Sequence, residues 1–496
     1  MENNLPENWV ETQLEEILIS LESGSRPKGG VRGISNGIPS IGGEHLNDNG
    51  SFDFSNIKYV PEQFALKMNR GQIKIGDVLI VKDGATTGKT SYVNESFPHK
   101  QAFVNEHVFI CRASSELISK YVFYFLWSND GKSKILDNFQ GAAQGGINTG
   151  FSSNTLVPIA PIPEQHRIVA KLGALFEKVE SNKQRLEKIP KLLKRFRQSV
   201  LAAAVSGKLT QDWREKNPNI ESAEELILRI QRFRKCEYEK ALLKYKQNKG
   251  NKPKTPVDIT FKPSTIVNDE IPDSWRITRV GNVSECLDNI RKPINKTERF
   301  SRQGNIPYYG ANGQVGWIDD YLFDEDLVVI VEDETFIGRK IPFSYIIRGK
   351  TWVNNHAHVM RPLGGISVEY LNICWSYYDF TSLTSGTTGR RKLTQNALVN
   401  AEFQIAPIME QQKIVRRVEQ LFAFADKMEA RYTKAKVMLN KLPQSILAKA
   451  FRGELVPQDP NDEPASMLLE RIKAEKEKLA KEKKDKKSNL FKNRRT

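Results

Sequence analysis

The chain has 496 residues with 75 Lys and Arg against 59 Asp and Glu, a formal charge of +16 at pH 7, and 39% of its residues are hydrophobic. That length exceeds one hydrophobic core and predicts several domains, while no apolar run approaches the roughly 18 to 20 residues that span a bilayer. The opening MENNLPENW lacks the layout of a signal peptide, so a cytoplasmic location is expected; four scattered cysteines without a C-x-x-C pair argue against disulfides and structural zinc.

The positive charge is concentrated. Residues 161–265 hold 24 basic against 12 acidic side chains and residues 471–496 hold 12 against 4, which leaves the remainder at −4. A polyanion partner is expected, yet contacts made by that remainder must come from local clusters and not from a broadly positive surface.

In chain order the first sharp feature is Asp83 to Thr90, DGATTGKT, after the apolar run DVLIV. A phosphate loop of the form G-x-x-x-x-G-K-[ST] keeps four residues between its glycines and opens a helix. Here Gly84 and Gly88 enclose three, and the following SYVNESFPHKQAFV is β-branched and aromatic and carries Pro98. The spacing predicts strand, turn, strand, a hairpin whose glycines supply positive φ. An NTPase built on Gly84 is the enzymatic alternative.

Next comes IAPIPEQHRIVAKLGALF (Ile159 to Phe176), which returns as IAPIMEQQKIVRRVEQLF (Ile405 to Phe422). The offset of 246 holds without a gap from Ile159 to Leu209 against Ile405 to Leu455, with 20 identities in 51 positions. Apolar residues recur in steps of four and three from Ile168 to Ala203, broken only by Asn182, and from Ile414 to Ile446 in the second copy. Sustained heptads predict coiled coil. An amphipathic helix on a globular core would share the pattern, but a helix from Glu164 to Ser206 is about 60 Å long, wider than such a domain. Pro190 and Pro443 should each kink the helix or begin a new one, and Gly207 and Gly453 should end it. SAEELILRI and PASMLLERI then begin second, shorter helices. A lysine- and proline-containing linker reaches Pro272, and the low-complexity tail reads as a solvated helix that frays.

The segments upstream of each helical copy also echo each other. LPENW at Leu5 answers IPDSW at Ile271, GDVLIVKDGATTGKT answers DLVVIVEDETFIGRK, and VNEH at Val104 answers VNNH at Val353. The layout is A–B–A′–B′: globular segments 1–160 and 266–405, helical segments 161–265 and 406–496. His356 and His358, two apart on an expected strand, point to one face; a polar or buried pair is expected there and no metal. No motif of an aminomethyltransferase, zinc protease, serine hydrolase, helicase or kinase occurs, which favours binding over catalysis.

The Pro-x-x-Glu-Gln opening of each long helix, the closings QSVLAAAVSGKL and QSILAKAFRGEL, the duplication, and GDVLIVKDGATTGK with GAAQGGINT together resemble the specificity subunit of type I restriction-modification systems, over essentially the whole chain. The resemblance implies an α+β fold: two globular mixed α/β target recognition domains separated by two long antiparallel coiled-coil helices, with an internal pseudo-twofold duplication. It implies a non-catalytic subunit that binds double-stranded DNA, two methyltransferase subunits and restriction/translocase subunits. AdoMet, ATP and Mg are then expected on those partners, with no cofactor or metal on this chain. Partner contacts are expected at Glu164, Gln165, Ile168, Leu175 and Phe176, and at Glu410, Gln411, Ile414, Leu421 and Phe422. A coiled-coil scaffold without sequence-specific DNA binding is the alternative.

Base readout needs Arg, Lys, Asn or Gln on loops that reach a groove, and phosphate contacts need cations or free N–H groups. In the first globular segment the candidates are Arg26, Lys28 and Arg32; Lys82, Gly84, Thr87 and Lys89; and Gln140, Gln144 and Asn148. In the second they are Arg291 and Lys292; Arg339 and Lys340; and Arg390, Arg391 and Lys392. Three consecutive basic residues stand where the first copy has Gln144, Gly145 and Gly146, so the two domains are expected to read different half-sites.

Overall fold

DGATTGKT forms the expected hairpin. The computed structural model describes residues 5–141, 145–248, 252–253, 255, 271–311, 313–333, 343–387 and 391–492. Strand Val78–Val81 turns back into Thr90–Tyr92, antiparallel, with Val78 opposite Tyr92 and Ile80 opposite Thr90. Gly84 and Gly88 have φ of 88° and 79°, a region that costs an L-residue roughly 1–2 kcal/mol. The glycines serve the turn, and no helix follows it.

Val78–Val81 is buried at all four positions because it is covered on both faces. Val78 and Ile80 join one apolar cluster, while Leu79 and Val81 join another, as the two-residue period of a strand requires. Around it a four-stranded antiparallel sheet runs in the order Leu18–Ser23, Val108–Ala113, Val78–Val81, Thr90–Tyr92. The second half repeats the plan with Ser284–Cys286, Ala357–Pro362, Leu327–Val331 and Ser344–Ile347. Its central strand is likewise divided, Val328 and Ile330 to one cluster and Leu327 and Val329 to the other.

A smaller sheet accompanies each. Ile38–Ile41 pairs parallel with Phe103–Val104, as Ile306–Gly310 does with Lys350–Val353. A two-stranded ribbon then joins the start of each domain to its end, Val10–Gln13 with Leu156–Ile159 and Arg276–Arg279 with Glu402–Ile405. That pairing delivers the chain to the first turn of a long helix.

The two helical runs differ at their prolines. Helix Ile162–Leu186 stops, and a new helix Ile189–Val205 starts with Pro190 in its first turn, where a missing N–H leaves no bond unmade. The second run, Ile408–Ala450, is one helix of 43 residues with Pro443 inside it, so no new helix begins there. Leu439, Ile446, Leu447 and Ala450 around it pack on a core, and that burial outweighs one lost backbone bond. Gly207 and Gly453, with φ of 75° and 73°, follow the two helices as expected.

The chain forms two compact units that cut each long helical run: Met1–Glu187 with Lys434–Thr496, and Lys188–Thr433. In the second unit the helices run antiparallel: Arg197 Nη2 meets Asp426 at 2.6 Å and Glu429 at 2.8 Å, Phe196 packs edge-on to Phe424, and Arg417 reaches back to Asp212. In the first unit Ile168, Leu172 and Val179 share a core with Ile446, Leu447 and Ala450, and Arg167 meets Asp462 at 2.6 Å. The buried positions Ile168, Leu172, Val179, Val200, Ile414, Val418, Ala425 and Ile446 lie on the expected heptad register.

The helices that follow, Ala223–Asn248 and Ala465–Lys492, seat Leu226, Ile227 and Ile230 in the second core and Leu468 and Ile472 in the first. Each globular domain is thus held by the opening of its own long helix and by helices of the other repeat. No helix among the described residues is long and apolar enough to cross a membrane.

Candidate nucleic-acid interface

The helix openings prove to be internal. Glu164, 1% exposed, accepts from Trp9 Nε1 at 2.9 Å and from Gln458 at 2.7 Å. Glu410, 0% exposed, accepts from Trp275 Nε1 at 2.9 Å, Thr210 Oγ1 at 2.7 Å and the Arg214 guanidinium. Gln165 and Gln411 donate back to the carbonyls of Ala160 and Ala406 at 2.9 and 2.8 Å, and Ile168 and Ile414 lie in the cores. These six side chains are therefore corrected from partner contacts to internal fastenings, since a fully buried group has no surface to offer. Leu175, Phe176, Leu421 and Phe422 are only partly buried. Burial pushes the Glu164 carboxyl upward, against the hydrogen bonds from Trp9 and Gln458. The signal for this role was the LPENW and IPDSW echo, which supplies one tryptophan to each glutamate.

In each domain described members of the candidate clusters meet beside the central strand of the four-stranded sheet. In the first, the backbone of Asp83 bridges Gly146, Ile147 N donates to Lys82 O at 2.8 Å, and Gln140 and Gly146 exchange both backbone hydrogen bonds at 2.9 Å. His107 Nδ1 lies 2.5 Å from Asp83 Oδ1, and Glu106 beside it pairs with Arg26. In the second, Asp333 bridges Lys392, Leu393 N donates to Glu332 O at 2.9 Å, and Ser385 and Lys392 exchange bonds at 3.0 and 2.9 Å. His356 Nδ1 lies 2.8 Å from Asp333 Oδ2. Asn105 and Asn354 each accept the backbone N–H of their histidine at 2.9 Å. VNEH and VNNH marked the place, but the partner of each histidine is a carboxylate distant in sequence.

The individual candidates divide. Arg26, Lys28, Arg32, Gly84, Gln140, Lys292 and Lys392 are exposed, although Lys392 Nζ lies 3.4 Å from both Glu332 and Asp333. Thr87 is buried and donates to Gly84 O at 2.7 Å, Lys82 is half-buried over the Phe109 ring, and Lys89 lies 3.5 Å from Asp48. The exposed Asn148 accepts from Gly150 N at 2.8 Å, and Arg391 donates to Thr384 O at 3.1 Å. Arg291, with a side chain 12% exposed, is held by Asp288, Glu332 and the Ala357 carbonyl. It braces the surface from within. Gln144, Arg339, Lys340 and Arg390 lie outside the described residues.

His356 and His358 do not share a face. His356 sits in the turn before strand Ala357–Pro362, whereas His358 is buried with its ring nitrogens 2.6 Å from Asp288 Oδ2 and 2.6 Å from Leu393 O. Cys286, Asp288 and His358 form the one group among the described residues with metal-ligand spacing. Their hydrogen bonds to each other and to protein carbonyls, with the Arg291 guanidinium 3.1 Å from Asp288, satisfy the site internally and oppose a second cation. Burial pushes the Cys286 and Cys374 thiols up to about 12, so neither is an activated nucleophile.

Two globular domains, each presenting exposed cationic and amide side chains and packed on long helices, have the arrangement of a nucleic-acid-binding subunit. The chain matches the family described as Type I restriction modification DNA specificity domain over residues 6–191 and 272–437, and it belongs to that family. It is 28% identical to the specificity subunit of the type I restriction enzyme EcoDI of Escherichia coli over 489 residues, covering 95% of this chain and 96% of that one. Identity to the Escherichia coli EcoBI specificity subunit is 30% over 473 residues, 90% of each chain. Among solved structures, the HsdS subunit of Thermoanaerobacter tengcongensis shares the fold with a TM-score of 0.58 at 17% identity, covering 91% of this chain and 98% of that one.

Proposed function

We propose that this chain is the sequence-specific DNA-binding subunit of a type I restriction-modification complex, each globular domain reading one half of a bipartite site. The observation that carries the reading is the pair of tips. Both use the same backbone scaffold, but Gly145 and Gly146 on one stand against Arg391 and Lys392 on the other, which suits two different half-sites. The long helices would set the gap between halves and dock two methyltransferase subunits, with half-buried Leu175, Phe176, Leu421 and Phe422 still available to contribute. Restriction/translocase subunits would join through that assembly. AdoMet, ATP and Mg belong on those partners in this reading.

The test is base-resolution mapping of methyladenine in cells carrying this gene and its partner methyltransferase, against cells lacking only this gene. A bipartite motif that disappears with the gene is the expected result. An unchanged map would overturn the reading and leave a helical scaffold without DNA specificity.

A further inference from the structure

Both tips are built on the same stem, and the sequences between the stem partners differ. Gln140 and Gly146 exchange backbone hydrogen bonds with five residues between them in sequence, and Ser385 and Lys392 do so with six, two of them arginines. Gly146 or Lys392 is bridged to the aspartate two residues past a central strand, Asp83 or Asp333. On its other side that aspartate meets a histidine, at 2.5 Å for His107 and 2.8 Å for His356. The histidine is in turn fixed by the Asn105 or Asn354 side chain on its own backbone N–H.

We propose that Asp83 with His107, and Asp333 with His356, are positioning residues for base readout, each pair fixing the stem, Gln140 with Gly146 or Ser385 with Lys392, at which one half-site is read. The inference rests on the DNA-reading function proposed above. A side chain present at both tips cannot distinguish two different half-sites, whereas Gln140, Gly145 and Gly146 at one stem and Ser385, Arg391 and Lys392 at the other do differ; shared groups position and divergent groups specify. The side chains of His107 and His356 are 38% and 49% exposed, so the pairs are not pieces of the apolar core. In the first domain the same histidine lies 3.3 Å from Glu106, which holds Arg26, and in the second Lys392 Nζ lies 3.4 Å from Asp333. Each pair therefore ties cationic side chains to the stem as well as the backbone.

The test uses the full chain with its partner methyltransferase and maps methyladenine for wild type, His107→Ala, His356→Ala and His356→Gln, alongside melting of the purified variants. His356→Ala is expected to keep one half of the motif intact while mismatched bases in the other half are accepted about tenfold more often. His107→Ala should do the converse, and His356→Gln, which can still donate to Asp333, should restore most of the discrimination. An unchanged motif overturns the proposal, whether methylation falls uniformly, as loss of a merely structural interaction would make it, or does not fall. Degeneracy in both halves from one substitution also overturns it. A wild-type map without any bipartite motif sinks the functional reading itself, and this inference with it.

Discussion

Trp9 Nε1 donates to Glu164 Oε2 at 2.9 Å, and Trp275 Nε1 donates to Glu410 Oε2 at 2.9 Å. Each glutamate lies in the first turn of a long helix, where the helix dipole favours an anion. Each tryptophan begins a globular domain. One buried hydrogen bond thus ties the start of a domain to the helix that leaves it, twice in one chain.

Replacing either indole with Trp9→Phe or Trp275→Phe keeps an aromatic ring and deletes a donor to a buried carboxylate. Each variant is expected to lose about 1.5–3 kcal/mol of stability, the range for a hydrogen bond to a charged group. The sites share no partner, so the double variant should lose the sum. Chemical denaturation measures both. A loss well beyond the sum would mean that the two fastenings are coupled.

The prolines predict opposite outcomes for one chemical change. Pro443→Ala, inside the helix Ile408–Ala450, restores a backbone hydrogen bond and should stabilise by up to about 3 kcal/mol. Pro190→Ala, in the first turn of Ile189–Val205, removes a favoured residue and should be neutral or slightly destabilising. Melting of the two variants side by side settles the sign.

Burial alone would raise the Asp288 carboxyl, but the hydrogen bond and charge of His358, with the charge of Arg291, hold it below its ordinary 3.8. Its contribution is present above that value and is lost as pH falls through the depressed folded value. Asp288→Asn should cost about 3–5 kcal/mol at neutral pH, because it takes the carboxylate away from the largely buried Arg291 guanidinium. The variant should also flatten the acid limb of the stability curve below about pH 4. An unaltered acid limb would exclude Asp288 as a source of that dependence.

Neutralising Arg390, Arg391 and Lys392 to Gln should alter or abolish one half of the methylated motif and spare the other. Where one of these side chains neutralises a phosphate, its removal should lower the slope of log affinity against log salt by about 0.9. Filter binding across a salt series on DNA carrying the mapped site measures it. Disappearance of both half-sites together would place these residues outside half-site readout.

The Gly84 turn predicts no nucleotide site. Calorimetric titration of the isolated chain with ATP and Mg should give no binding heat. Saturable binding abolished by Lys89→Ala would restore the phosphate-loop reading.

Much of the fold was legible because its signals are local or periodic. Three residues between Gly84 and Gly88, followed by β-branched and aromatic side chains, are enough for a hairpin. Heptads from Ile168 and from Ile414 are enough for paired helices, and a gapless offset of 246 is enough for duplication. The break at Pro190 was legible and the continuity through Pro443 was not, since the cost of proline in a helix is local while the packing that overrides it is not.

The amino-acid sequence by itself determined the elements, their repetition and the kind of side chain at each tip. Only the tertiary structure decided which polar groups meet. Glu164 becomes interior because donors arrive from Trp9 and Gln458, 155 and 294 positions away, and Arg291 turns inward because Asp288, Glu332 and Ala357 converge on it. His107 and His356 acquire their carboxylate partners, Asp83 and Asp333, in the same way. A charged side chain stays in water unless the fold supplies partners for it, and partners from distant strands leave no period in the sequence.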